Sequence, residues 1–529
     1  MGGETRTFNS IRNISIGVAN QIFVTLLNFI SRTIFIKTMG VEYLGINGLF
    51  SNILIVLSLA ELGIGNAIMY AFYKPISEGD QTKISALMRY YKKLYTIVAM
   101  IVTFAGVLLI PFLPVFVNTE EEIKNVTIYY MLYLCNSAIS YIFSYKASII
   151  NADQKMYITK LYSLIFFLVQ FVLQSLLLIF TRNFIYYLTA QILCTFCNNY
   201  FLSIKAEKMY PYIKKGEILD RDERRGIFDN IKSLFLYKLG GVILNNSTNI
   251  IISIMIGTVW VGYYSNYGMC ITALIQFISM IFTSMNASIG NLNVSAQPEH
   301  KCNIFNFLNF IAFWITGFAA VALFVLFNDF IIIWIGGEYV LGTVTVGAII
   351  LNFYIIGIIN PVWIFRDSIG LFKHTKYVFM ITAFLNILLS AGFGKLAGLS
   401  GILLAAPVSR LCTNFWYEPK MLYKIFFKQK SINYFKKQFK YFITLIIAAG
   451  TAYLLTRWIT SVTLTGFIFK IFICVFIPNI IFYIILRKTP EFKYIKYNYL
   501  DKYRQGSGNK SGEKAKGRFQ NGSKAQNIN

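Results

Sequence analysis

Long apolar runs recur along most of the chain, and they constrain its fold more than any other feature. A helix that crosses a bilayer needs about 20 mostly apolar residues, and the 529-residue sequence offers many such runs. Hydrophobic residues make up 56% of the chain and charged residues 14%, whereas soluble proteins average about 45–50% and about 25%. We therefore predict an all-α polytopic membrane protein.

The apolar runs predict about 14 transmembrane helices. Each run is bounded by polar or charged residues, and the two runs near 377–393 and 400–415 are the shortest. The predicted spans are residues 13–37, 44–72, 94–116, 126–145, 161–180, 184–202, 234–256, 261–286, 304–327, 342–365, 377–393, 400–415, 441–456 and 466–486.

The distribution of basic residues predicts the orientation of these spans. The chain holds 49 Lys and Arg against 23 Asp and Glu, a formal charge of +26. If the N-terminus is cytoplasmic, most basic residues fall on the cytoplasmic side, as the positive-inside rule requires. Only Lys124, Arg182, Lys395 and Arg457 fall outside. The basic charge therefore reflects membrane topology, with both termini cytoplasmic, and nucleic acid is not an expected partner.

An internal repeat indicates how the spans are organised. Gly40–Gly45 follows span 1, and Gly257–Gly262, which keeps both glycines, follows span 7 after 217 residues. Three weaker matches recur in the same order: Ile64–Asn66 with Ile289–Asn291, Lys146–Ile149 with Arg366–Ile369, and Leu193–Thr195 with Leu411–Thr413. Because six spans separate the copies, both halves insert in the same direction, and parallel repeats enclose a central cavity. We predict two parallel six-helix lobes followed by two C-terminal helices.

The predicted segments follow from this repeat. They are a cytoplasmic N-terminus (1–12), an N-lobe (13–202), a cytoplasmic inter-lobe loop (203–233), a C-lobe (234–415), a basic cytoplasmic loop (416–440), the last two spans (441–486) and a basic cytoplasmic tail (487–529) that ends in a disordered polar stretch.

Polar residues inside the spans predict what the cavity presents. In span 1 and in span 7 they recur at helical spacing and so form one stripe on each helix. The two stripes are in the same repeat register, with Gln21, Asn28 and Arg32 matching Lys238, Asn245 and Asn249. Polar groups avoid lipid, so the stripes either line a cavity or hydrogen-bond between packed helices. We favour the cavity, because each stripe carries a cation.

Four other charged positions have two readings each. Glu61 is the only acid deep in a predicted span, so it either pairs with a cation such as Arg32 or takes up a coupling proton. Lys146, Arg366 and Asp367 lie at inner span ends. They are either interface anchors or part of a basic cytoplasmic mouth.

The remaining span cations divide into one site candidate and one group without a site role. Arg410 lies within span 12 and joins the candidate anion-binding groups. Lys37, Lys395, Arg457 and Lys470 lie near outer span ends and are expected to snorkel towards the interface.

The chemistry of these residues favours an anionic substrate and argues against an enzyme. Arginine pairs well with phosphate, and a carboxylate stays open as an alternative. No phosphate-binding loop for ATP is present, and no Ser/His/Asp constellation is evident. Cys194 and Cys197 form a lone pair in an apolar run, and two histidines are too few for a metal site. No cofactor is expected beyond a coupling proton or sodium ion.

Two segments at the start of the chain and one in its second half resemble a known family. Ser31–Phe50, Leu59–Gly65 and Arg366–Lys373 are similar to bacterial polysaccharide flippases of the Wzx type, in the multidrug/oligosaccharidyl-lipid/polysaccharide exporter superfamily. The similarity extends over about residues 8–490. It implies two six-helix lobes plus two helices in the bacterial cytoplasmic membrane, and Arg32 matches a first-helix arginine of that family.

The resemblance implies a function. Such a protein moves an undecaprenyl-diphosphate-linked oligosaccharide from the inner to the outer leaflet by alternating access, driven by an ion gradient, for O-antigen, capsule or exopolysaccharide synthesis. A polysaccharide polymerase and its chain-length machinery would be partners. A cation-coupled multidrug exporter of the same superfamily is the main alternative, and a membrane polysaccharide polymerase is the other.

Overall fold

Helices account for all the regular structure of the described residues, and no strand occurs among them. The computed structural model describes residues 3–61, 63–119, 123–214, 218–283, 285, 289, 297–459 and 462–495. The predicted disordered end of the tail and the Gly290–Asn291 part of the repeat lie outside these residues. The helices are α1 (Gly3–Leu57), α2 (Ile64–Glu78), α3 (Gln81–Leu108), α4 (Leu113–Phe116), α5 (Val126–Tyr141), α6 (Ala147–Ala152), α7 (Met156–Thr181), α8 (Phe184–Met209), α9 (Arg221–Met255), α10 (Thr258–Thr283), α11 (Pro298–Trp334), α12 (Thr343–Ser368), α13 (Phe372–Cys412), α14 (Asn414–Leu422), α15 (Ile432–Thr456), α16 (Leu464–Leu486) and α17 (Pro490–Ile495).

Ten helical stretches among the described residues are long and apolar enough to cross a membrane. Two of them hold two predicted spans each, because the chain leaves helical geometry at Gly40 in α1 and at Ala397 and Gly398 in α13. The two other predicted spans are α8 and α9, which are equally long but more polar. The protein is thus a multi-pass membrane protein of the fold class that the sequence predicts.

Short polar side chains start several helices at the connections between spans. The side chains of Asp80, Asn183, Asp220 and Thr463 each accept a hydrogen bond from a backbone N–H in the first turn of α3, α8, α9 and α16, respectively. Such caps satisfy amide groups that have no partner within the helix. Helix starts are therefore set by local chemistry as well as by hydropathy.

The helices divide into two compact units. The first comprises Met1–Phe277, Ile331–Asn352 and Gly370–Glu418, and the second comprises Ile278–Phe330, Phe353–Ile369 and Pro419–Asn529. All but two of the predicted site residues belong to the first unit. Arg366 and Asp367 belong to the second.

The second unit contains a buried ion pair that the sequence analysis missed. Lys470 is 8% exposed, and its Nζ donates to Asp329 Oδ2 at 2.6 Å. The prediction that Lys470 snorkels was wrong, because Asp329 on α11 offers the ammonium a carboxylate next to the start of α16. A charge in the membrane is stabilised when it is paired.

Candidate functional site

A polar cavity of about 660 Å³ lies in the first unit between α1, α9 and α10. Helix α1 contributes Gln21, Asn28 and Arg32 to its wall, and α9 contributes Asn245 and Asn249. The turn at Gly40 returns the chain past this wall, so that Asn47 and Ser51 of the same helix also face the cavity. The two polar stripes that the repeat register pairs thus border one space.

Arg32 is the charged residue of this wall. Within the described part of the chain, the other lining side chains are amides, hydroxyls and uncharged groups. Arg32 also lines an adjoining space of about 300 Å³, beside Tyr187 and Asn47. No described acid lies within 4.0 Å of its guanidinium, whereas several other basic side chains of the described residues form ion pairs within this distance. An uncompensated arginine in a low-dielectric region attracts an anion strongly.

Lys238 lies outside the main cavity, although its stripe partners Asn245 and Asn249 line it. It borders a separate recess of about 250 Å³ with Gly241, Asn245 and Phe379. Lys238 does not reach the main cavity because it lies on α9 two turns before Asn245. The Lys238 ammonium instead lies within electrostatic range of the Glu61 carboxylate.

Glu61 ends a short 3₁₀ turn, Ser58–Glu61, that contacts α9. Its Oε1 accepts a hydrogen bond from Tyr95 Oη at 3.0 Å. No described cation lies within 4.0 Å of the carboxylate, so the direct pair with Arg32 that one sequence reading suggested does not form. Glu61 is held by a neutral hydroxyl and faces a lysine at longer range.

Arg410 contacts the cavity wall through Asn245. It is 3% exposed, lies on α13 behind α9, and does not line the cavity. Its Nη2 donates to Asn245 Oδ1 at 2.9 Å, while its Nε has no hydrogen-bond partner. The sequence placed Arg410 among the substrate-binding groups, whereas the structure shows its guanidinium hydrogen-bonded to Asn245 of the cavity wall.

The three residues predicted for a cytoplasmic mouth are already paired. Lys146 Nζ donates to Ser203 Oγ at 2.8 Å and to the Glu207 carboxylate. In the second unit, Arg366 Nε donates to Asp367 Oδ1 at 2.8 Å. Both arrangements suit structural anchoring.

Helix α10 contributes a polar face to the cavity that the sequence analysis overlooked. Ser265, Thr272 and Gln276 line the wall, at spacings of seven and four residues that place them on one face. The same periodicity that identified the stripes of spans 1 and 7 could have found them. Gln21 Nε2 donates to Gln276 Oε1 at 2.5 Å, which joins α1 to α10 at one end of the cavity.

Towards the opposite end, glycines of the predicted repeat bring α1 and α10 close together. A Cβ on Gly45 would lie 2.1 Å from the Thr258 carbonyl oxygen, and a Cβ on Gly262 would lie 2.4 Å from that of Val41. In the predicted repeat register Val41 matches Thr258 and Gly45 matches Gly262, so the contact is reciprocal. We call it the glycine contact.

The first glycine of each repeat segment also has a defined role. Gly40 and Gly257 both have positive φ values, 84° and 140°, which glycine adopts without a steric penalty. Each ends one span and starts the next. The repeat therefore encodes a turn followed, five residues later, by a close helix approach.

Taken together, the cavity can bind an anion that also carries hydrogen-bonding groups. The arginine supplies a planar fork of donors suited to phosphate. The surrounding amides can both donate to and accept from hydroxyl groups. Among the described residues, no group of three His, Cys, Asp or Glu side chains is placed to hold a metal ion.

No protein-family model and no curated protein sequence matches this chain. Solved structures do match in fold. A lipid II flippase MurJ in an inward closed conformation aligns with 90% of this chain and 99% of its own, at 16% identity and a TM-score of 0.64. An inward-facing multidrug resistance MATE family transporter of the MOP superfamily aligns with 75% of this chain and 95% of its own, at 15% identity and a TM-score of 0.58.

A third match is a Vibrio cholerae MATE transporter, VcmN, in the form of a point mutant. It aligns with 80% of this chain and 100% of its own, at 14% identity and a TM-score of 0.54. At these identities the similarity is one of fold, and the chain has the fold shared by MurJ and MATE transporters.

Proposed function

We propose that this protein is a flippase for a diphosphate-linked oligosaccharide on a polyprenyl carrier such as undecaprenol. The observation that carries the proposal is Arg32, an uncompensated guanidinium on the wall of a cavity otherwise lined by amides and hydroxyls. Arg32 would bind the diphosphate, and Gln21, Asn28, Asn245 and Asn249 would hydrogen-bond to sugar hydroxyls. The fold supports the proposal, since a solved lipid II flippase shares it.

In this proposal the cavity opens to one side of the bacterial cytoplasmic membrane at a time. The glycine contact brings α1 and α10 close together towards one end, and the Gln21–Gln276 hydrogen bond spans the other. Opening either end requires α1 and α10 to separate there. The polyprenyl chain would stay in lipid while the polar head crosses, because transfer of sugar and diphosphate through hydrocarbon is too costly.

The drive would come from an ion gradient acting at Glu61. Tyr95 donates to its carboxylate, and Lys238 lies within electrostatic range. Protonation would remove the negative charge within electrostatic range of the Lys238 ammonium, and so would change the interaction between the 3₁₀ turn and α9. A proton or a sodium ion could each serve, and surface polysaccharide synthesis would consume the product.

A multidrug exporter is the second candidate, because two of the matched structures are MATE transporters. The lining argues against organic cations as substrates, since its charged group is an arginine. Drug susceptibility of a deletion strain separates the two. Unchanged susceptibility together with lost surface polysaccharide supports the flippase.

The direct test follows leaflet exchange of a fluorescent polyprenyl-diphosphate oligosaccharide in proteoliposomes, with and without a proton or sodium gradient. Arg32→Ala should abolish exchange, and Arg32→Lys should retain part of it. Lys37→Ala is the matched control, since Lys37 is an exposed cation five residues further along α1. Equal exchange by Arg32→Ala and Lys37→Ala would overturn the proposal.

A further inference from the structure

A second large pocket, distinct from the polar cavity, opens between α3 and α5. Its volume is about 730 Å³, and it shares no lining residue with that cavity. Met100, Phe104 and Ile142 supply apolar walls, while Lys92 and Lys146 lie together at one end. We call it the α3–α5 groove. It combines a long apolar surface with a basic end.

The backbone beside the groove is held in an unusual conformation. Phe143 has a φ of 66°, a left-handed value that is a genuine outlier for a bulky residue. It separates α5 from the 3₁₀ turn Ser144–Lys146, and Phe143 lines the groove. Asn199 Nδ2 donates to the Ser140 carbonyl at 3.0 Å, near this break. Such strain persists where the surroundings maintain it, often at functional sites.

The two lysines at the basic end differ in their partners. Lys146 is neutralised by Glu207, and its ammonium also lies 5.5 Å from the Phe143 ring centroid. Lys92 is exposed, and no described acid lies within 4.0 Å of its ammonium, whereas described lysines such as Lys83 and Lys146 form ion pairs within this distance. The groove therefore ends in one net positive charge.

We propose that the α3–α5 groove is a binding site for an anionic phospholipid of the bilayer, with one acyl chain along α3 and the phosphate on Lys92. From Lys92 to Val107, both of which line the groove, the helix rises about 22 Å at about 1.5 Å per residue. One leaflet contributes about half of the roughly 30 Å hydrocarbon thickness, so a chain from one leaflet fits this length. The transported lipid is a poorer occupant, because its diphosphate would lie away from Arg32.

This site would connect the surrounding lipid to the candidate coupling residue. Tyr95 lines the groove and donates to Glu61. An acyl chain packed on Tyr95 would restrict the ring that holds the carboxylate. The inference does not depend on which substrate the protein carries.

Native mass spectrometry of the purified full chain, titrated separately with phosphatidylglycerol and phosphatidylcholine, tests the site. Phosphatidylglycerol should be retained preferentially. Lys92→Gln should weaken its retention about fivefold, as expected for one basic residue near an anionic lipid, and Lys92→Arg should restore it. Lys93→Gln is the matched control, because the adjacent exposed lysine does not line the groove.

A second variant tests the apolar part. Thr103→Trp fills the groove without changing charge, and should reduce labelling of α3 by a photoreactive phosphatidylglycerol several-fold. Equal retention of the two lipids, or equal effects of Lys92→Gln and Lys93→Gln, would overturn the proposal. Displacement of the photoreactive lipid by a polyprenyl diphosphate at equal concentration would also overturn it, in favour of the transported lipid.

Discussion

Helices α1 and α9 occupy equivalent places in the repeat but carry their cations differently. In α1, Arg32 faces the polar cavity without a counter-ion. In α9 the equivalent position is Asn249, and the cation is Lys238, in a separate recess near Glu61. Spans 1 and 7, which these helices contain, are each followed by a glycine with positive φ, yet the two cations have different surroundings. One cation faces a polar cavity, and the other lies within electrostatic range of an acid of the protein.

The largest expected effect comes from moving the arginine across the repeat. Arg32→Asn should lower the rate of leaflet exchange by about 10–150-fold. This range corresponds to the loss of about 1.5–3 kcal/mol, the contribution of a hydrogen bond to a charged group. Adding Asn249→Arg should restore part of the activity, because Asn249 lines the same cavity. Exchange rates of the two variants in proteoliposomes measure this. No recovery would show that the cavity needs its cation on α1.

The glycine contact should be sensitive to a single methyl group. Gly45→Ala or Gly262→Ala places a Cβ within 2.1 or 2.4 Å of a backbone oxygen, and overpacking costs about 1–3 kcal/mol. The double variant should lose less stability than the sum of the losses in the two single variants, because either methyl group alone already separates the same two helices. Thermal unfolding in detergent gives the values. Gly450→Ala, with open space around it, should be neutral or slightly stabilising.

The two repeat-related asparagines should differ in their contribution to stability. Asn245→Ala removes the acceptor of the buried Arg410 guanidinium and should cost about 1–3 kcal/mol. Asn28→Ala, at the equivalent position, breaks no hydrogen bond recorded among the described residues and should change stability by less than about 0.5 kcal/mol. Melting temperatures of the two variants should therefore separate. Equal losses would mean that Arg410 does not depend on Asn245.

The smallest effect is expected at the end of the cavity away from the glycine contact. Gln276→Ala removes one exposed hydrogen bond to Gln21, worth about 0.5–1.5 kcal/mol. If that bond holds the end closed, an Asn28→Cys side chain should be more accessible from that side when Gln276 is alanine. Its reaction with a polar thiol reagent should then be about two- to tenfold faster in the Gln276→Ala background than with Gln276 present. Thr283→Ala, an exposed change at the end of the same helix, should leave the rate unchanged.

Much of this architecture could be predicted from the sequence, because hydropathy and helical periodicity are local. The repeat placed the Gly40–Gly45 and Gly257–Gly262 segments at equivalent positions after spans 1 and 7. The stripes grouped Gln21, Asn28, Arg32, Asn245 and Asn249, and these residues line one polar cavity. The polar face of α10 was accessible to the same reasoning and was missed.

The errors came from contacts between distant segments. The packing of α13 against α9 decides whether Arg410 faces a cavity or lies behind α9. Residue spacing within a single helix does not specify that packing. The sequence around Lys470 is that of a snorkelling lysine near a span end. Only the folded structure shows that Asp329, on another helix, pairs with it. The α3–α5 groove depends on a backbone break at Phe143 that no glycine or proline marks.

The glycine contact restricts how this protein can change during evolution. A clash between two side chains can be relieved by shrinking one of them, so such positions can vary together. Here each glycine lies against a backbone carbonyl, at Thr258 and at Val41, and every residue has that atom. No second substitution at the touching residue can create the missing space. We therefore expect Gly45 and Gly262 to stay fixed in sequences that retain this helix approach, independently of one another and of whatever the cavity carries.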